Sequence, residues 1–361
     1  MSTIGRCSQE SISKLTTLMR ESEYDNVLQS LSIDGIRFSG IQDLLTNVFA
    51  TKHIVTIGDS TLLKFSNRLQ FLLQMMKDTL SHPILSSLET LPLNVLDKDI
   101  KAAGDMNRYR VTEDEAANMN ILSFGNEFYQ KMFDQNDTLS ITGLVNVQEE
   151  FQSIIAFQPE VMVVNLGLHL FHLTGFFTAQ SARNPLPLWL EYEQFLLSII
   201  ELAESSTTKT LLFKTTNLVC EDLFVDEWKT AVESYVSHDE KTLANCFSKQ
   251  RERNPDPSIL DDDILNYCKE GWMSEHASDA LNQRLYAFVN DIRAKKKQLT
   301  APQMSIDVYN DHDLQFCGAS RTPSDGRHYP VLNLNRIRLM GNLLECLDDV
   351  PLIESVEERA V

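Results

Sequence analysis

The feature that most constrains this chain is the run Val161-Met162-Val163-Val164, apolar throughout and closed by Gly167. A strand with one wet face alternates apolar and polar residues; an unbroken β-branched run is buried on both faces, the signature of a parallel sheet covered by helices. Four comparable runs exist. They are His53-Ile54-Val55-Thr56-Ile57 before Gly58, 119–124 before Gly125, 210–216, and 305–309. Helical patterns separate them. Leu62, Phe65, Leu69, Leu72, Leu73 and Met76 mark one face over 62–80; residues 188–202 begin after Pro187; 332–347 close the chain. The reading is an α/β fold with a doubly wound, mainly parallel five-stranded sheet.

Three segments lie outside that pattern. Residues 1–50 read as an N-terminal extension of two or three short helices, with Leu15, Leu18, Met19, Ile41, Leu44, Leu45 and Val48 at helical spacing. Residues 222–298 are charged and helical in pattern, broken by Asn254-Pro255-Asp256-Pro257, and read as a helical insertion between the fourth and fifth strands. Residues 351–361 form a tail. The α/β domain spans 51–350, and no internal repeat is present.

With 32 basic against 51 acidic residues, the formal net charge is −19. A field of that sign repels phosphate backbones and anionic lipid, which argues against nucleic-acid binding. The compact basic run Arg293-Ala294-Lys295-Lys296-Lys297 reads as a solvated helix end facing the negative pole of the helix. Cys7, Cys220, Cys246, Cys268, Cys317 and Cys346 are scattered, without a C-x-x-C pair. That excludes a zinc site and a disulfide framework, leaving room for one or two bridges in a secreted chain. Neither a signal peptide nor a transmembrane segment is evident, so the expected location is cytoplasmic by default, with the secretory pathway open if an upstream anchor is missing. Asn136-Asp137-Thr138 has the form of a glycosylation sequon, a triplet that recurs by chance.

In a doubly wound sheet, ligands bind beyond the carboxyl ends of the strands. Ser60 sits there, in Gly58-Asp59-Ser60 directly after the first strand and at the start of a helix whose N–H groups can stabilise an oxyanion. Alone, this triplet equally describes a turn with an ordinary helix cap. Asp325 and His328, in Ser324-Asp325-Gly326-Arg327-His328-Tyr329-Pro330, fall between the last strand and the last helix, at the same edge. A serine needs a base, and a histidine oriented by a carboxylate supplies one. Gly326 permits the tight turn that puts both side chains on one side of the loop. Alone, this segment also fits a helix cap beside a surface histidine.

Taken together, the order Ser, then Asp-x-x-His before the closing helix, resembles the SGNH (GDSL-like) hydrolases, and most closely their PC-esterase branch of acyl esterases and glycan O-acetyltransferases. The similar stretches are 54–60, 163–169, 211–217 and 306–309 leading into 324–330, within 53–347. The resemblance implies Ser60 as nucleophile, His328 as general base and Asp325 as its orienting acid. It implies Gly125, Gly167 and His169 as oxyanion or substrate-binding residues. Gly167-Leu168-His169 departs from the Gly-x-Asn of many SGNH enzymes, and His169 is either a donor to the oxyanion, a substrate contact or a structural histidine. Where relatives often carry arginine three residues after the serine, this chain has Leu63, with Lys64 about 100° further round the helix.

The expected function is serine-dependent hydrolysis or transfer of a small acyl group, acetyl above all, on a small-molecule or carbohydrate ester. No cofactor and no metal are required. The alternative is a catalytically inactive SGNH fold that serves as a binding module. Asp307, Asp311 and Asp313 are minor alternatives for the triad acid; Thr215 and Thr216 line the pocket or serve only as strand-end residues. His169 with His172 makes a weak metal pair, and Asp261-Asp262-Asp263 reads as a helix start.

Overall fold

The computed structural model describes residues 39–77, 120–124, 148–165, 188–220, 275–296, 304–317, 326–329 and 333–348, with scattered residues before and between these ranges. In chain order the elements are a small hairpin (β1, Ser32–Ile33; β2, Ile36–Arg37), α1 (Ile41–Leu44) running into a π-helical turn (Leu45–Phe49), β3 (Ile54–Gly58), α2 (Ser60–Lys77), β4 (Ile121–Phe124), α3 (Gln148–Phe157), β5 (Val161–Asn165), α4 (Leu188–Glu204), β6 (Thr210–Lys214), α5 (Glu275–Lys296), β7 (Ser305–Tyr309), a 3-10 turn (His312–Leu314) and α6 (Asn333–Asp348).

The five-stranded sheet has the order β4-β3-β5-β6-β7 with every pairing parallel. Counted from the first strand this is 2-1-3-4-5, the flavodoxin-like arrangement, with its switch point between β3 and β5. Alternation along each strand divides the core. Ile54, Val161, Val163, Leu212 and Tyr309 pack with α2, α6 and the α1 region. Val55, Ile57, Met162, Val164, Leu211, Phe213, Ile306 and Val308 pack with α3, α4 and α5. One helix layer thus covers each face, as the expected fold class requires.

Two segments are more integral than their sequence suggests. The last part of the 222–298 stretch is α5, whose Leu281, Leu285 and Val289 are buried against the sheet. That helix serves as the crossover between β6 and β7. Its basic end is less solvated than expected: Arg293 donates to the Ile306 carbonyl (2.7 Å) and pairs with Asp307, while Lys295 pairs with Asp291 and Lys296 with Glu204. The end of the N-terminal extension also belongs to the core. Ile41, Leu44, Leu45, Val48 and Phe49 are buried on α6, where Gly341 lets the helices close: a Cβ there would lie 2.9 Å from both Leu44 methyls. Asn342 locks the contact, accepting from the Ser39 N–H (2.8 Å) and donating to its carbonyl (3.2 Å).

The cysteines fall within the one or two bridges that their spacing left open. Cys220 and Cys317 form a disulfide across 97 residues, Cys346 is disulfide-bonded as well, and no cysteine among the described residues is free. The Cys220–Cys317 bridge ties the segment after β6 to the segment after β7. Among the described residues, no helix is long and apolar enough to cross a membrane.

Candidate active site

β3 delivers Ser60 to the carboxyl edge of the sheet beside the switch point. Gly58 is required there by proximity. It lies opposite Asn165 in the ladder, and a Cβ on it would stand 2.5 Å from the Asn165 carbonyl oxygen and 2.9 Å from a Leu62 methyl. Asp59 then caps α2: its Oδ1 accepts from the Thr61 N–H (2.8 Å) and hydroxyl and lies 3.4 Å from the Leu62 N–H. Its own N–H donates to the Asn165 carbonyl (3.2 Å). Among the described residues none accepts from the Ser60 N–H, which belongs to the unpaired first turn of α2.

The second component arrives from 268 residues away. Ser60 Oγ and His328 Nε2 are 2.7 Å apart, within hydrogen-bonding distance, with Ser60 partly exposed and His328 8% exposed. Gly326, at φ 80°, occupies the left-handed region that favours glycine, so the turn before His328 is the one expected of that residue. Asp325, Gly125, Gly167 and His169 lie outside the described residues. Lys64 is exposed on α2.

The three alternative acids are engaged with other groups. Asp307 pairs with Arg293, and burial pushes its carboxyl above the usual range. Asp313 accepts from the Asn310 amide (2.7 Å). Asp311, fully buried, lies 3.1 Å from Lys214 Nζ and 2.7 Å from Arg336 Nε. Burial pushes the Lys214 ammonium below its ordinary range, and Asp311 opposes that shift. Thr215 and Thr216 are buried too, Thr215 donating to Asp311 (3.2 Å) and Thr216 exchanging backbone hydrogen bonds with the Asn282 amide. They hold the strand end in place. Among the described residues no group of His, Cys, Asp and Glu could hold a metal ion.

Sequence reasoning passed over the polar residues beneath the site. Asn165 stitches the sheet edge, its amide donating to the Lys214 (3.1 Å) and Thr215 (3.0 Å) carbonyls. Lys214, Asn217, Gln315 and Arg336 form a buried network with Asp311. A signal was present: Lys214 shares the strand parity of Leu212, so it faces the same core. Compared with protein-family profiles, curated proteins and solved structures, the chain matches none.

Proposed function

We propose that this protein is a serine-dependent acyl ester hydrolase or O-acyltransferase of SGNH type. The observation that supports this most is the 2.7 Å approach of Ser60 Oγ to His328 Nε2 at the carboxyl edge of a doubly wound sheet, beside its switch point. His328 takes the Ser60 proton as Oγ attacks the ester carbonyl carbon. The resulting oxyanion accepts from the Ser60 N–H at the start of α2, and the resemblance adds Gly125, Gly167 and His169 as further donors. The intermediate collapses to an acyl-serine, and the departing alcohol takes the proton from His328. Water, or an acceptor hydroxyl, then gives its proton to His328 and attacks the acyl carbon, freeing an acid or a new ester and returning the proton to Ser60. Asp325 is the orienting acid in this reading. Small acyl groups on carbohydrate are the proposed substrates, by resemblance.

The disulfides bear on location. Bridges persist in oxidising compartments, so they favour the secretory pathway over the cytoplasm.

The test is the intact mass after treatment with a fluorophosphonate, which phosphonylates an activated serine with loss of fluoride. One adduct on the wild-type protein, absent from Ser60→Ala and strongly slowed in His328→Ala, is expected. A folded wild-type protein that takes no adduct refutes the proposal and leaves the inactive binding module.

A further inference from the structure

Resting on that reading of Ser60 and His328, we propose that Asn217 is the positioning residue for the histidine. Residues 326–329 lie in no helix or strand, and such a segment places a base well only if its backbone is held. Here the carbonyls on both sides of His328 are taken. The Asn217 amide donates to the Arg327 carbonyl at 2.8 Å, and Arg336 Nη1 lies 3.3 Å from the Tyr329 carbonyl. One residue further back, the Cys220 N–H donates to the Gly326 carbonyl at 2.7 Å.

Asn217 can do this because its other end is fixed. Its Oδ1 accepts from Lys214 Nζ (2.9 Å), Gln315 Nε2 (3.2 Å) and Arg336 Nη2 (3.2 Å). Three donors on one atom identify it as the oxygen, so the opposite atom is the NH2 that faces Arg327. Asn217 is 1% exposed, and the groups that hold it lie on three separate elements: Lys214 ends β6, Gln315 follows the 3-10 turn after β7, and Arg336 is on α6. Gln315 is itself anchored, accepting from the Leu218 N–H at 2.7 Å. The amide therefore relays the position of the sheet edge to the backbone beside His328. An asparagine suits the position because it offers an acceptor to a cationic cluster and a donor to a carbonyl at once.

The discriminating variant is Asn217→Asp. It keeps an oxygen toward Lys214, Gln315 and Arg336, and it adds a negative charge where two cations converge. It also puts a carboxylate oxygen against the Arg327 carbonyl, acceptor against acceptor. The expected result is a fold at least as resistant to urea as the wild type, with the rate of Ser60 phosphonylation lowered by about 10- to 100-fold, the scale on which a misplaced group near the chemistry acts. The His328 ring resonances shift from their wild-type positions in long-range 1H–15N spectra. Thr216→Val is the control for a neighbouring change: its buried hydroxyl has no hydrogen-bond partner among the described residues, so labelling and the His328 resonances stay at wild-type values. If Asn217→Asp does not fold, Asn217→Ala, which removes the donor without adding charge, carries the same comparison. Labelling and His328 resonances unchanged in the variant overturn the positioning role and leave the proposed activity standing. A wild-type protein that takes no label overturns the activity instead, and the resonances still decide whether Asn217 holds the histidine.

Discussion

Adding a single methyl group at Gly58 tests the geometry at the heart of the site without assuming any activity. The backbone of Gly58 is not in the left-handed region, so Gly58→Ala introduces no conformational strain of that kind. On the unfolded side the substitution is favourable by about 0.4–1 kcal/mol, because alanine has less freedom to lose. The folded side decides the outcome. The new Cβ meets the Asn165 carbonyl oxygen at 2.5 Å, and this oxygen belongs to β5, which is paired on both edges and cannot retreat by itself. Overpacking of this type costs about 1–3 kcal/mol. Separation of β3 from β5 also sacrifices the Asp59 N–H bond to the same oxygen, about 1 kcal/mol more. The net expectation is a loss of about 1–3.5 kcal/mol, read as a lower urea midpoint at unchanged slope. Gly341→Ala provides the comparison. Its Cβ would meet Leu44 methyls at 2.9 Å and the Phe49 ring at 3.0 Å, side-chain atoms that can shift, and alanine gains about 1 kcal/mol in a helix. Its change should stay within about 1 kcal/mol. If Gly58→Ala is as stable as the wild type, or if Gly341→Ala is the more damaging of the two, the close approach of β3 to the Asn165 carbonyl is not what selects glycine.

Three further perturbations have defined outcomes. Asp311→Asn leaves Lys214 and Arg336 buried without their shared carboxylate, and should cost about 3–5 kcal/mol in urea unfolding; a loss under about 1 kcal/mol would show that the cations do not depend on it. Replacing Cys220 and Cys317 together by serine removes a bridge across 97 residues and should lower stability by about 2–5 kcal/mol, whereas reducing agent should leave the double variant with less to lose than the wild type. The Lys209 ammonium holds the Glu160 carboxyl below its ordinary value of 4.5, so this pair stabilises the fold above that pH and ceases to do so as pH falls through the depressed value. The gap in urea midpoint between wild type and Glu160→Gln should accordingly be present at neutral pH and close in acid; a gap that widens in acid contradicts the assignment.

Strands were legible because burial on both faces calls for mostly apolar runs, and the runs at 53–57, 160–166, 210–216 and 305–309 overlap strands of the sheet. Ser60 and His328 were legible because a doubly wound sheet fixes where residues after its strands must go. What local pattern hid was the second layer of packing. Arg336 and Arg338 give α6 the look of a helix with a wet side, yet both are buried, and Arg336 pairs with Asp311 and reaches Asn217 beneath the site. Nothing near residue 336 in the sequence announces partners at 217 and 311. The role of α5 was obscured in a similar way. It is polar over most of its surface, and the length of chain between β6 and β7 gave no local sign that its last helix is the crossover.

The two halves of the Ser60–His328 pair are held by different physics, and this follows from where each falls. Ser60 opens an 18-residue helix directly after a strand, so the ladder, the Asp59 cap and the helix itself define its position. His328 lies in residues 326–329, which belong to no helix or strand. A buried charge cluster costs desolvation, and a hydrophobic cluster of equal volume is often as stable or more so. The presence of Lys214, Asp311 and Arg336 under that loop is therefore poorly accounted for by stability alone. It is accounted for if directional donors are needed there, since apolar side chains cannot hold the Arg327 and Tyr329 carbonyls in place.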